Sequence, residues 1–327
     1  MMPGGTEAAT GWVSHMRDPL AALECVCRQA RLGPLGGFRF QRAGSVHATW
    51  RISTQRGDFA IRLGSAREAA AVRQQDLSMF SPRIAPRRFG RGVVKVEGRA
   101  FHYTVMEWLH GRRFDYSRDL RRLAVTLSCL HRATCNRTSV GFGAASVEAY
   151  LSSQLQDYSR RPAGTSAMAG RLGREAAAAW AGLPAPRAKS LDFTCLAHND
   201  LVAENIIIVG ERARLIDWDW AVNSHPALDL CGFLSPFVTS WKTEHLLGRR
   251  AVSVFLGTYM APFSQADRRM IGQRLVDVWS AYNAAAACWL CYRSPVRRPH
   301  FTDDGFFRRG FDRSAEMREW LRQAASS

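Results

Sequence analysis

The chain has 327 residues and is 46% hydrophobic, enough for a large core in either one two-lobed domain or two modest ones. Its 45 Lys and Arg outweigh 28 Asp and Glu by +17, but only Lys95, Lys189 and Lys242 are lysines. An arginine-dominated excess without an arginine-rich tail reads as the bias of a GC-rich genome rather than a nucleic-acid-binding surface. No stretch approaches the roughly 18–20 apolar residues of a membrane span, and "MMPGGTEAATGWVSHMRDP" lacks the apolar centre of a secretory leader. The eight cysteines are therefore expected as reduced thiols in the cytoplasm; Cys25/Cys27 and Cys288/Cys291 are close pairs without the further ligands of a zinc site.

In chain order, residues 18–32 predict an amphipathic helix that starts at Asp18-Pro19. Phe38 to Leu63 alternate and turn at Arg56-Gly57-Asp58, the pattern of strands in an antiparallel sheet. A helix is predicted from Ser65 through "AREAAAVRQQDLSMF", then strands at Gly92–Val96 and Ala100–Trp108 around Glu97-Gly98. The first hundred residues thus read as a small α+β unit. Beyond "MEWLHGRRF" the texture is helical: Leu120, Leu123, Leu127 and Leu130 share a face that ends at His131. Residues 159–190 are rich in Ala, Gly, Pro and Arg and read as a loose excursion. A hairpin follows, Asn205–Val209 and Ala213–Trp218 around Gly210-Glu211, and everything past Pro226 reads as helix.

The hairpin is flanked by chemistry. Asp200 and Asn205 precede its first strand, and Asp217 and Asp219 end its second, so folding the hairpin brings four oxygen-bearing side chains to one edge. Such ligands suit Mg²⁺, which one or two carboxylates hold together with substrate phosphates. A further carboxylate can take a hydroxyl proton, which completes the requirements of phosphoryl transfer.

His198-x-Asp200-xxxx-Asn205, followed twelve residues later by Asp217 in "IDWD", resembles the aminoglycoside phosphotransferase and choline kinase superfamily. "HNDLVAEN" with "LIDWDWAVNSHPALDL" is similar to its bacterial choline kinase-like branch, and the likeness runs over about residues 38–235. The resemblance implies an α+β, protein-kinase-like fold of two lobes. Residues 1–107 would form a small antiparallel-sheet lobe for nucleotide, and 108–327 a mostly helical lobe for catalysis and acceptor. It implies ATP or GTP with Mg²⁺, Asp200 as the catalytic base, and Asn205 and Asp217 as metal ligands. "AGSVHATWRI" is similar to the nucleotide loop (Gly44, Ser45), "FAIRLG" to the phosphate-contacting strand and "AREAAAVR" to the helix bearing its acidic partner, Glu68. "VMEWLHG" matches the hinge, with Glu107 and Leu109. Here Arg62 replaces the usual lysine, and its planar fork can still bridge phosphates. His198 is expected to pack around the loop, Asp229 to brace it through backbone N–H groups, and Asp219 either to stand near the metal or to orient another ligand.

The acceptor would be a small hydroxylated molecule: choline or another amino alcohol, a thiamine-like vitamin, or an aminoglycoside. Trp279, Tyr282, Trp289 and Tyr292 form either an aromatic cage for a quaternary ammonium or a core stripe. Two other readings remain, a pseudokinase on the same scaffold and a basic nucleic-acid-binding protein. Intact Asp200, Asn205 and Asp217 count against the first, and the second predicts steeply salt-dependent binding.

Overall fold

A computed structural model describes residues 19–43, 47–65, 83–136, 145–159, 193–243, 245–293 and 304–326, with scattered positions between 172 and 182. The chain divides into two compact units, Met1–Gly111 and Arg112–Ser327.

The first unit is built on one antiparallel sheet. Helix α1 (Pro19–Gln29) precedes strands β1 (Leu35–Ala43), β2 (His47–Thr54), β3 (Gly57–Ser65), β4 (Arg88–Val96) and β5 (Arg99–Glu107), arranged in the order β1-β2-β3-β5-β4. Alternation decides its faces, because successive side chains of a strand point opposite ways. Phe59, Ile61 and Leu63 of β3 pair with Ile52, Trp50 and Ala48 of β2. These residues, with Phe101, Tyr103 and Val105 of β5, make the buried layer, which Ala22, Leu23 and Val26 of α1 complete. The β4–β5 turn follows from its residues: Glu97 (φ 49°) and Gly98 (φ 75°) are both left-handed, as a two-residue turn matched to strand twist requires. Both strands of this hairpin begin earlier than the sequence pattern suggests. The helix predicted from Ser65 onward lies outside the described residues except for Ser65, which ends β3; Asp18, the proposed start signal of α1, lies outside them too.

The second unit opens with β6 (Arg112–Arg113) and α2 (Leu120–Thr134). Leu120, Leu123, Leu127, Leu130 and His131 are all buried along α2, the face the heptad-like spacing predicts. Then come α3 (Val147–Ser159), β7 (Cys195–Ala197), a 3₁₀ turn at Ala203–Asn205, β8 (Ile206–Val209), β9 (Arg212–Leu215) and β10 (Val222–Ser224). Five helices follow: α4 (Ala227–Leu234), α5 (Pro236–Thr243), α6 (Arg249–Met260), α7 (Gln265–Arg293) and α8 (Asp304–Ser326). Two small sheets, β6-β8-β9 and β10-β7, frame the segment between them. Most of the excursion predicted at 159–190 lies outside the described residues. The predicted hairpin differs at both ends. Asn205 closes a 3₁₀ turn, and β9 stops at Leu215: the Ile216 N–H still donates in register to the Asn205 carbonyl (2.9 Å), but Asp217 then leaves the strand with φ 66°. No helix among the described residues is long and apolar enough to cross a membrane.

Candidate active site

Buried β7 delivers the chain to His198, and the next residues are fixed by one carboxylate. Asp229, in the first turn of α4 and 1% exposed, accepts from the backbone N–H of His198 (2.8 Å) and of Asn199 (2.7 Å). It also meets His131 Nε2 at 3.0 Å, while His131 Nδ1 lies 2.8 Å from the Tyr259 hydroxyl. With the Nε2 proton donated to Asp229, the tyrosine donates to Nδ1 and every buried polar group in the chain of contacts is served. Asn199 is thereby held left-handed (φ 59°), a conformation that asparagine tolerates better than other side-chain-bearing residues. Its Nδ2 donates to the Trp220 carbonyl at 3.1 Å.

His198 is fully buried and ties the loop to the hairpin. Its Nε2 donates to the Ile216 carbonyl (3.0 Å), its Nδ1 accepts from the Asp200 N–H (3.3 Å), and its ring lies 4.5 Å from that of Trp218. Asp200 is partly buried. Its Oδ2 accepts from Asn205 Nδ2 at 2.7 Å, and the same nitrogen reaches the Asp200 carbonyl at 3.0 Å. Asn205 thus orients Asp200 with its amide nitrogen, which leaves its Oδ1 as the oxygen of choice for a cation. Asp217 follows directly on the residue bonded to the Asn205 carbonyl, so Asp200, Asn205 and Asp217 come from one knot of backbone contacts. Asp219 is partly buried in the turn after it. The donors are hard oxygens, which fits Mg²⁺.

In the sheet unit, Arg62 is 8% exposed and stands opposite the apolar layer, between Thr49 of β2 and Thr104 of β5. β3 is the central strand, so Arg62 does not stand on an edge of the sheet. At the end of β5, the Glu107 N–H donates to the Arg87 carbonyl (2.7 Å) and its carboxylate accepts from the Arg87 N–H (3.1 Å). The Trp108 N–H reaches the Asp58 carbonyl at 3.4 Å, and the Arg51 guanidinium sits 5.3 Å from the Trp108 ring. Leu109, next along, is partly buried. Gly44, Ser45 and Glu68 lie outside the described residues.

The aromatic stripe of α7 splits. Trp279 is completely buried, and its indole N–H donates to the Ser314 carbonyl of α8 (2.8 Å), so it is a core residue with no face for a ligand. Tyr282 and Trp289 are half-buried, seven residues apart and therefore on one side of the helix; the Tyr292 side chain lies outside the described set. Burial pushes the Tyr282 phenol up, and the nearby Tyr150, Cys231, Asp200 and Asp229 add to the shift. The sequence reading omitted Tyr150 of α3, whose phenol is pushed up by burial and further by the charge of Asp200. It also omitted Asn199, although Asn199 sits inside the "HND" run.

A family model described as the phosphotransferase enzyme family matches residues 39–262, well over half the chain. The chain belongs to that family. Membership makes it a phosphotransferase of the small-molecule kinase class. No curated protein gives a significant match. Among solved structures, an amicoumacin kinase in complex with AMP-PNP, Ca²⁺ and Ami is 14% identical, with 97% of this chain and 96% of that chain covered and a TM-score of 0.61. A spectinomycin phosphotransferase in complex with ADP and spectinomycin is 12% identical over 94% and 99%, with a TM-score of 0.58. A choline/ethanolamine kinase family protein from Mesorhizobium loti is 17% identical over 95% and 96%, with a TM-score of 0.55. At such identities the likeness is one of fold, the kinase-like α+β fold with an antiparallel-sheet unit followed by a helical one.

Proposed function

We propose that the chain transfers the γ-phosphoryl group of ATP, or of GTP, to a hydroxyl of a small molecule in the cytoplasm. The observation that carries this reading is the Asp200–Asn205 contact at 2.7 Å on a loop whose backbone Asp229 holds. Asp200 accepts the proton of the acceptor hydroxyl as its oxygen attacks the γ-phosphorus and the bond to the β-phosphate oxygen breaks, releasing the nucleoside diphosphate. Asn205 keeps the carboxylate aimed, and His198 and Asp229 keep the loop in shape. Asn205 Oδ1 and Asp217 would hold Mg²⁺, which supplies positive charge against the nucleotide phosphates. The sheet unit takes the nucleotide. Arg62 meets phosphate there, the Gly44-Ser45 loop covers it, Glu68 steadies the arginine, and the backbone at Glu107 and Leu109 faces the base. Asp219 serves as an orienter beside the metal ligands.

The acceptor class runs from amino alcohols through thiamine-like vitamins to aminoglycosides and other antibiotics, met by the helical unit with Tyr282 and Trp289. Trp279 drops out of that wall. The test is Mg²⁺-dependent ATP consumption by the full chain against choline, ethanolamine, thiamine, simple sugars and aminoglycosides, with Asp200→Asn as control. Acceptor-stimulated ADP release that disappears in the control is expected. Stimulation surviving in Asp200→Asn overturns the assignment of the base.

A further inference from the structure

Asp58, the second residue of β3, belongs to no motif described above, yet four groups converge on it. Its Oδ1 accepts from the Ser53 hydroxyl (2.7 Å) and its Oδ2 from an Arg51 terminal nitrogen (2.5 Å). His110 Nε2 stands 3.5 Å from the same Oδ2, an ion pair whenever the ring is protonated. The Asp58 carbonyl accepts from the Trp108 N–H at 3.4 Å. Arg51 closes the set, with its guanidinium 5.3 Å from the centre of the Trp108 ring. The Asp58 side chain is mostly buried. Hydrogen bonds from Ser53 and Arg51 hold its pKa below the ordinary 3.8, so it is charged at neutral pH.

These contacts converge on one short segment. Phe59 and Glu107 are the last paired residues at this end of β3 and β5, and Trp108, Leu109 and His110 leave the sheet just beyond them. Singly, a partly exposed cation–ring contact or ion pair adds little. Here they share one residue: Asp58 holds Arg51 against the Trp108 ring, faces His110, and ties the Trp108 backbone through its own carbonyl. Side chains of a strand alternate, so Asp58 also shares a face of β3 with Ala60 and Arg62, opposite the apolar layer. One strand thus carries the proposed phosphate contact and, four residues earlier, the group that fixes the segment proposed for the base. We infer that Asp58 is a positioning residue for nucleotide binding, fixing Trp108–His110 to the end of β3 so that the backbone on either side of Trp108 is held for the base. This rests on the nucleotide reading proposed above, with Asp58 acting through the segment and not on the nucleotide.

The test measures dissociation constants of the full chain for Mg²⁺-ATP and for Mg²⁺ with inorganic triphosphate, which lacks the base, by titration calorimetry. Asp58→Asn keeps the shape and removes the charge that draws Arg51 and His110. ATP binding should weaken about three- to tenfold, with inorganic triphosphate within about twofold of wild type. Arg51→Met keeps the apolar stem of an exposed side chain and removes its charge, and it should weaken ATP binding about two- to fivefold without touching triphosphate. The double variant should bind ATP no more weakly than Asp58→Asn alone, because both changes cut one link. Unchanged ATP affinity in either single variant, or fully additive losses in the double variant, overturns the inference while ATP binding by wild type leaves the nucleotide reading standing. Equal weakening for ATP and triphosphate also overturns it, since that is the sign of a generally loosened sheet. A wild-type chain that binds no ATP overturns both.

Discussion

Asp119 at the start of α2 and Asp229 at the start of α4 are withdrawn from water to the same degree, 0% and 1% exposed, and they are satisfied in opposite ways. Asp119 is held by side chains. Arg112 grips it with both terminal nitrogens (2.5 and 2.6 Å), Arg122 reaches it at 3.1 Å, and the Asp115 N–H adds a bond at 3.0 Å. Asp229 is held by main chain, from the His198 and Asn199 N–H groups, with His131 behind it. An arginine fork balances a buried charge while leaving the backbone free to run where packing sends it. Backbone donors do the reverse: they dictate the path of the residues that carry them, here the two before Asp200. Equal burial thus accompanies unequal roles, a staple in one region and a former for a reactive loop in the other.

The largest effect is expected where the formed loop delivers its carboxylate. Asp200→Asn should lower turnover by roughly 10²–10⁴-fold, the scale of a general base, with Mg²⁺-nucleotide binding and the melting temperature close to wild type. A variant that keeps half its activity would sink the role.

Next comes the pair of buried aspartates. Asp119→Ala removes the common acceptor of Arg112, Arg122 and the Asp115 N–H and should cost about 1–3 kcal/mol of stability, read as a denaturation midpoint, while turnover per folded molecule stays near wild type. Asp229→Ala leaves two backbone donors without their acceptor and should lower both stability and turnover, since each buried group left unsatisfied costs about 1–3 kcal/mol. Similar turnover in the two folded variants would erase the distinction between staple and former.

A third buried charge sharpens the contrast. Arg62 is nine-tenths buried on a central strand. A charge-assisted contact to phosphate is worth about 1.5–3 kcal/mol, so Arg62→Ala should raise the ATP requirement roughly ten- to a hundredfold. Arg62→Lys should recover part of that, keeping the charge and losing the fork. Equal apparent ATP affinity in all three proteins would leave this arginine a purely structural group.

Much of this was legible in the chain because it is written locally. The alternation from Phe38 to Leu63 marked the strands of the sheet unit, and the leucine spacing of α2 named its buried face. The HxDxxxxN run and the following "IDWD" put Asp200, Asn205 and Asp217 on adjoining segments. What stayed hidden depends on contacts distant in sequence. Asp229 meets His131 across 98 positions, and Glu148 meets Arg274 across 126. Trp279 carries the same local signal whether it lines a pocket or packs against α8; only the Ser314 carbonyl, 35 residues on, decides for packing. The end of β9 was missed because Asp217 leaves the strand by a left-handed turn that an aspartate does not advertise.

The smallest effect expected is a pH dependence that belongs to the staple. Burial alone would raise the Asp119 carboxyl, but the Arg112 fork, the Asp115 N–H and Arg122 outweigh it, and the net pKa is below the ordinary value of 3.8. A carboxylate whose pKa is lower folded than unfolded contributes stability above its unfolded pKa, and that contribution drains away as pH falls through the folded value. The stability gap between wild type and Asp119→Asn should therefore be level from neutral pH down to about pH 4 and narrow only below it. Thermal melts of the two proteins between pH 7 and pH 2.5 measure it. A gap that instead closes between pH 7 and pH 5 would mean that a group other than Asp119 governs the start of α2, and the arginine fork would lose its place as the staple.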